Sequence, residues 1–168
     1  MFRLKTTPAG QLTGKAAELF AMFPPQIGVP EPLLLMSASP GLLAVQAQAI
    51  EFYRNHPDLD FPMLAAIRLL LARRLDAQAC VDFNTRLLLA AGLSAEEIDA
   101  LPEAGAFSPA QRALLAFVLK AVSAPGSVAD ADIAALRALG WSDTTIYDAV
   151  AHGATMQVPA TMMAAFKR

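Results

Sequence analysis

The apolar positions of the chain recur at the three- and four-residue spacing of α-helices along most of its length. In the first such segment, Leu12, Ala16, Leu19 and Phe23 fall on one helical face. No segment alternates apolar and polar residues in the way that a half-buried β-strand does. The pattern therefore predicts an all-α fold, a bundle of about seven or eight helices.

Capping residues, glycines and prolines mark where these helices begin and end. The sequences Ser94-Ala-Glu-Glu97 and Ser108-Pro-Ala-Gln111 have the form of capping boxes, and Gly92 is a good residue just past a helix end. Together, the signals predict helices over residues 12–23, 41–55, 61–75, 77–91, 94–101, 108–123, 128–139 and 144–151, and a last one, bent or restarted at Pro159, that ends at Phe166.

Prolines between residues 24 and 41 interrupt the helical pattern. Pro24 and Pro25 end the first helix, and we expect the following stretch, residues 26–40, to be a connector with at most a short helix. The segment 63–75, MLAAIRLLLARRL, is apolar on nearly every side, as in a helix buried in a bundle or at a subunit interface. We therefore expect one domain over 1–168, with an amino-terminal arm over 1–40 and a core over 41–168.

Composition changes this picture by predicting self-association. Hydrophobic residues make up 55% of the chain and charged residues only 17%, against roughly 25% in typical soluble domains. So few charged residues cannot cover the surface of one subunit, and apolar surface hidden against another copy is the natural explanation. We expect a homo-oligomer, and a dimer, a trimer or a hexamer would each fit.

Charge and cysteine content exclude several classes of protein. The net charge is −2 and the basic residues form no stripe, which argues against a nucleic-acid partner. The longest apolar stretch, Phe61 to Ala72, is too short for a membrane span, and the first residues lack the apolar run of a signal peptide, so we expect a cytoplasmic protein and no membrane partner. The one cysteine, Cys80, allows no intrachain disulfide and no cysteine-built zinc site; we expect neither metal nor cofactor.

Three sequence segments resemble those of a known family. The cysteine-bearing helix ends in LLLAAGLSAEEIDAL, and SPAQRALLAFVLKAV and GWSDTTIYDAVAHGATM follow it. Over residues 61–92 and 94–163, the sequence resembles the alkylhydroperoxidase-D-like family, also called the carboxymuconolactone decarboxylase family. The resemblance implies an all-helical core, closed oligomers and peroxidase-related, antioxidant chemistry.

The resemblance also implies where the family's reactive residues would stand. Active members have a Cys-x-x-Cys pair, a glutamate twelve residues before the first cysteine and a histidine four residues after the second. The best register places Cys80 at the second cysteine, so that Ala77, Asn84 and Ala65 occupy the other three positions. A dithiol–disulfide cycle needs two sulfurs, so the two-cysteine reaction cannot run within one subunit.

A single-thiol site is what these residues still allow. Cys80 would be oxidised to a sulfenic acid by a peroxide and reduced by an external thiol, with Asn84, one turn along the same helix face, positioning it. Such a cysteine needs an electropositive, partly exposed setting. The competing hypothesis is that Cys80 is a core residue, because free cysteine is among the most buried residue types.

Three further residues are candidates for binding a substrate. Arg68 lies in the most apolar helix, so burial would require a partner; Asp60 or Asp148 is our expectation, and a pocket that binds an anionic ligand is the sharper alternative. Tyr53 and His152 would line the same pocket, although a structural role is the more common one for such a histidine. For His56, at a helix end, we expect a capping or surface role.

Three functions compete on this basis. The first is a peroxidase-related protein using Cys80 alone, which requires an accessible thiol of low pKa. The second is a non-redox oligomer that binds a small molecule near Arg68, Tyr53 and His152, with Cys80 buried. The third is a carboxymuconolactone-type decarboxylase, for which Arg68 would hold a carboxylate but no proton-transferring acid is evident. The order given is the order in which the sequence favours them.

Overall fold

The computed structural model describes residues 1–24, 27–103 and 105–168, and these form a bundle of α-helices. The predicted end of the first helix at Pro25 lies outside the described residues. The helices are α1 (Gly14–Ala21), α2 (Glu31–Met36), α3 (Pro40–Arg54), α4 (Phe61–Arg74), α5 (Gln78–Ala90), α6 (Ala95–Asp99), α7 (Pro109–Ser123), α8 (Asp130–Ala138), α9 (Asp143–Ala154) and α10 (Gln157–Phe166).

The all-α prediction is confirmed. Within the described ranges the only β pairing is a single bridge between Phe2 and Lys167, which joins the two ends of the chain. The expected seven or eight helices become ten in the described part: nine of them match the segments located from the sequence, and α2 is the short helix inside the proline-rich connector. None of the described helices has the length and apolar character needed to cross a membrane.

Helix α4 is the centre of the main core. Asp60 begins it by accepting a hydrogen bond from the Met63 backbone nitrogen at 2.9 Å, and Pro62 occupies its first turn. The helix packs against α5, α7 and α9, which explains its apolar residues on every side. Its buried residues are Met63, Leu64, Ala65, Ala66, Ile67, Leu69, Leu70, Leu71 and Ala72.

The amino-terminal arm has a smaller apolar cluster of its own. This cluster joins α1 and α2 to the buried side of α3, chiefly through Leu19, Leu33 and Leu43. Helix α2 also contacts α5 and α10, and the ion pair between Glu31 and Lys167 fastens it to the carboxyl end. The arm therefore packs against its own chain and leaves the opposite face of α3 uncovered.

Two backbone positions, a turn residue and a helical glycine, fix how the helices around α4 approach it. Asp76, with φ of 51°, provides the tight reversal between α4 and α5, so the two helices run side by side in opposite directions. Gly153 lets α9 come close to α4 and α7, since a Cβ added there would lie 2.8 Å from Cγ1 of Val118 and 3.4 Å from Cγ2 of Ile67. Both features bring α5 and α9 against the same stretch of α4.

We predict that Gly153→Ala destabilises the protein although alanine favours helices. The helix propensity gain is about 1 kcal/mol, whereas forcing a methyl group into this contact costs about 1–3 kcal/mol or more, because Val118 is β-branched and buried. Thermal and urea unfolding measure the change. The matched control is Gly41→Ala in α3, where a Cβ would meet nothing within 4 Å. Equal stability of the two variants would contradict the close-approach role of Gly153.

Candidate functional site

Cys80 and Asn84 lie one turn apart on α5 and both face the bundle core. Cys80 is 5% exposed and Asn84 is 2% exposed. The Asn84 side chain donates a hydrogen bond from Nδ2 to the Cys80 carbonyl oxygen at 2.8 Å. The amide is thereby tied to the backbone of the cysteine, and its Oδ1 atom is left to accept from another helix.

Arg68 of α4 supplies that second contact. Its Nε donates to Asn84 Oδ1 at 2.8 Å, and its Nη1 lies 3.0 Å from His152 Nε2 on α9. The expected carboxylate partners are therefore wrong: Asp60 caps α4, and Asp148 contacts His56. The sequence could not show this, because the choice of partner depends on which helices the bundle places next to α4.

Tyr53 completes the group by packing on the histidine. The rings of Tyr53 and His152 have centroids 4.3 Å apart and are tilted by 55°. The tyrosine hydroxyl donates to the backbone carbonyl of Asp148 at 3.1 Å. All five residues singled out from the sequence, Cys80, Asn84, Arg68, Tyr53 and His152, thus form one connected cluster, which we call the Cys80 cluster.

The protonation state of His152 follows from its neighbours. A guanidinium can only donate, so Nε2 must accept from Arg68 and Nδ1 must carry the proton. Burial, assisted by the Arg68 charge and opposed by the Leu64 backbone, lowers the pKa of His152 to about 3. Nδ1 is sealed from solvent without a hydrogen bond of normal geometry to any described residue. His152 is therefore neutral at physiological pH.

The two remaining titratable groups of the cluster are also governed by burial. Burial lowers the pKa of Arg68 to about 10, partly offset by the nearby Cys80, so the guanidinium remains charged at neutral pH. Burial raises the pKa of the Cys80 thiol, and the charge of Arg68 acts in the opposite direction without overcoming it. The accessible, low-pKa thiol that the first function requires is not present in the single subunit.

The positions where the family has its glutamate and first cysteine have different surroundings. Ala65 is fully buried in the core of α4, three residues before Arg68. Ala77 precedes the first residue of α5 and packs against the same core. Neither position offers a proton-transferring group or a second sulfur.

A second polar group, on the outer side of Tyr53, was missed by the sequence analysis. His56 Nε2 lies 3.2 Å from Asp148 Oδ2, while His56 Nδ1 accepts hydrogen bonds from the backbone nitrogens of Asp58 and Leu59. His56 is therefore not a surface residue, since its side chain is only 3% exposed. The position of His56 directly before Pro57 was the available sequence clue, because the chain must turn there.

This group lines a shallow cleft of about 370 Å³ between the α3–α4 turn and the start of α9. Thr145 donates to Asp58 across the cleft at 2.6 Å, and Ser142 caps α9 there by accepting from the Thr145 backbone nitrogen. None of the Cys80 cluster residues lines this cleft. In the part of the chain that the structure describes, no three acidic, histidine or cysteine residues gather into a metal-binding group.

Comparison with known proteins identifies the architecture. No family model and no curated protein matches the chain. Among solved structures, an uncharacterized peroxidase-related protein from Ralstonia eutropha JMP134, described as an alkylhydroperoxidase AhpD core, aligns with a TM-score of 0.80. The alignment covers 98% of this chain and 90% of that one, at 21% sequence identity.

The chain has the fold of the alkylhydroperoxidase AhpD core. The expectation raised by the sequence phrases around α5 to α9 is therefore confirmed for the fold. The match extends over the amino-terminal arm as well, for which the sequence offered no resemblance. Since the identity is only 21%, the AhpD-like architecture is what the alignment establishes.

We predict that His152 makes the protein sensitive to acid. Its pKa is lowered on folding, so the unfolded chain binds the proton more readily and stability falls as pH drops from about 6.5 towards 3. At pH 5 this contribution should be roughly 2 kcal/mol. His152→Gln, which keeps an oxygen to accept from Arg68, should flatten this dependence. Urea unfolding from pH 7 to pH 4 measures it, and parallel curves for wild type and variant would contradict the prediction.

Proposed function

We propose that the protein is a peroxidase-related member of the AhpD-like fold that lacks two-cysteine chemistry and works, at most, through one slow thiol at Cys80. The Cys80 cluster supports this proposal more than any other feature. Its Arg68–Asn84 hydrogen bonds fix the cysteine helix beside a buried positive charge, the one group there that favours the thiolate. The fold match to a peroxidase-related protein agrees with it.

The proposed reaction is a two-electron oxidation of the thiol. The Cys80 thiolate attacks one oxygen of a hydroperoxide, the O–O bond breaks, and the departing alkoxide takes up a proton to leave as an alcohol. The sulfenic acid then condenses with an external thiol, releasing water and forming a mixed disulfide. A second external thiol attacks the external sulfur of that disulfide, which releases Cys80 as the thiolate and forms a disulfide between the two external thiols. The proposed part of Asn84 is to position the sulfur-bearing turn.

A second function is favoured by the burial of Cys80 and its raised pKa. Both features describe an inert core thiol, which is what a non-redox protein that binds a small molecule would have. In that function Arg68, Tyr53 and His152 are the proposed binding residues, and Cys80 contributes packing only.

Thiol labelling separates the two functions, and it is unambiguous because Cys80 is the only cysteine. We expect native Cys80 to react more slowly than in the denatured chain, with a labelling midpoint at higher pH, because burial raises the pKa of the thiol. Arg68→Met should move the midpoint further up by removing the cation. The matched control is Arg74→Met, which removes an exposed charge from the same helix.

Peroxide treatment then decides whether the thiol is used. Capture of a sulfenic acid on native Cys80 by a dimedone-type reagent, followed by its reduction with a small thiol, would support the single-thiol function. Absence of any oxidation of native protein, while the denatured chain oxidises, would overturn it and leave the non-redox function. Fast labelling with a midpoint at lower pH than in the denatured chain would also contradict the slow-thiol proposal, because it would show that the pKa of Cys80 is lowered on folding.

We also propose that the protein is a cytoplasmic homo-oligomer. The uncovered face of α3 supports self-association, because Leu42, Val45 and Phe52 lie on it with 51%, 60% and 53% exposure. Their spacing of three and seven residues forms one apolar stripe. An exposed stripe of this kind is typical of a face that packs against another subunit.

We predict that Val45→Glu reduces the assembly to a smaller species, because a carboxylate would be buried unpaired at the interface. Light scattering coupled to size exclusion measures the mass of wild type and variant. Ala134→Glu, which places the same charge on the exposed surface of α8, should leave the mass unchanged. A monomeric wild type, or an unchanged mass in Val45→Glu, would show that this face is not the interface.

A further inference from the structure

The charge of Arg68 has no opposite charge beside it. Both hydrogen-bond partners of its side chain, Asn84 and His152, are neutral. In the ranges 1–24, 27–103 and 105–168, the ion pairs formed by arginines involve Arg73 and Arg137 and never Arg68. A cation held in a helical core without a carboxylate is costly, because buried charges are usually paired.

The guanidinium is largely buried, yet its free part is not fully sealed from solvent. Nε and Nη1 have partners, whereas Nη2 donates to none of the described residues. Nη2 is nevertheless not sealed, because the one fully buried side-chain nitrogen or oxygen without a partner in the described part is His152 Nδ1. The two N–H groups of Nη2, between Asn84 and His152, are therefore available to bind a ligand.

The surroundings indicate which anion would fit. Arg68 is the one charged residue of the Cys80 cluster, and it is next to a neutral histidine whose ring packs on Tyr53. In the outer polar group, the carboxylate of Asp148 contacts His56 and that of Asp58 accepts from Thr145. Because Arg68 carries one positive charge, it would neutralise a monoanion, whereas a phosphate dianion would keep one negative charge uncompensated. Aromatic neighbours favour an apolar body behind the charged group.

From these contacts we infer that Arg68 binds the carboxylate of a small aromatic or apolar monocarboxylic acid through Nη2, with His152 and Asn84 holding the guanidinium in place. This inference rests on the proposed role of the Cys80 cluster as the functional site. It adds the ligand class, which applies both to a carboxylate-bearing hydroperoxide reduced by Cys80 and to a non-redox ligand.

The test is a titration of the full-length protein with three probes: benzoate, the neutral benzamide of the same size, and inorganic phosphate. The readout is the nitrogen and proton resonance of the Arg68 side chain, with the exposed Arg74 of the same helix as internal reference. We expect benzoate to shift the Arg68 signal saturably, benzamide to leave it unchanged, and phosphate to bind more weakly than benzoate.

Variants sharpen the test. Arg68→Met should weaken benzoate binding about 10-fold or more, the effect of losing one hydrogen bond to a charged group, and Arg74→Met should not weaken it. Equal binding of benzamide, tighter binding of phosphate, unchanged affinity in Arg68→Met, or no shift of the Arg68 signal would each overturn the inference. If Arg68→Met fails to fold, the wild-type titration decides alone.

The same titration in Cys80→Ser distinguishes this inference from the redox proposal, because carboxylate binding does not require the thiol. Benzoate binding by a protein whose native Cys80 resists peroxide would uphold the ligand class and overturn the single-thiol function. Oxidation of Cys80 without benzoate binding would overturn the ligand class and leave the thiol chemistry standing.

Discussion

The burial of one guanidinium inside an apolar helix bundle is the constraint on which the central part of this protein depends. Arg68 projects from α4, the most buried helix, and can be accommodated only if neighbouring helices supply acceptors. Asn84 of α5 and His152 of α9 do so. Because both acceptors are neutral, they satisfy hydrogen bonds of Arg68 but do not neutralise its charge. The same hydrogen bonds hold α4, α5 and α9 together around the guanidinium.

The chemistry of Cys80 is decided by competition between that charge and burial. A cation near a thiol stabilises the thiolate, and removal from water destabilises it. Here burial is the larger effect, and the pKa of Cys80 is raised. The sequence resemblance assigns a second sulfur and a proton-transferring pair to the positions of Ala77, Ala65 and Asn84, and none of these residues can supply either group.

Close packing of α9 is the geometric requirement behind this arrangement. Gly153 lies next to His152 and allows the helix to approach Ile67 and Val118 to a distance that no larger residue would permit. This approach brings Nε2 of the His152 imidazole within hydrogen-bond distance of the Arg68 guanidinium. It also buries the imidazole, which keeps the ring neutral. The electrostatic state of the cluster therefore follows from helix packing.

Helix positions, the buried nature of α4 and the fold class could be predicted from the sequence, because hydrophobic spacing and capping residues act locally. The residues of the Cys80 cluster could also be named, since an arginine in an apolar helix and a lone cysteine stand out. Their partners could not be predicted, because Asp60 and Asp148 were equally plausible for Arg68. The turn at His56-Pro57 did not by itself show that His56 is buried against Asp148. Partner choice, thiol burial and histidine protonation are set by contacts between helices far apart in sequence, which only the tertiary structure decides.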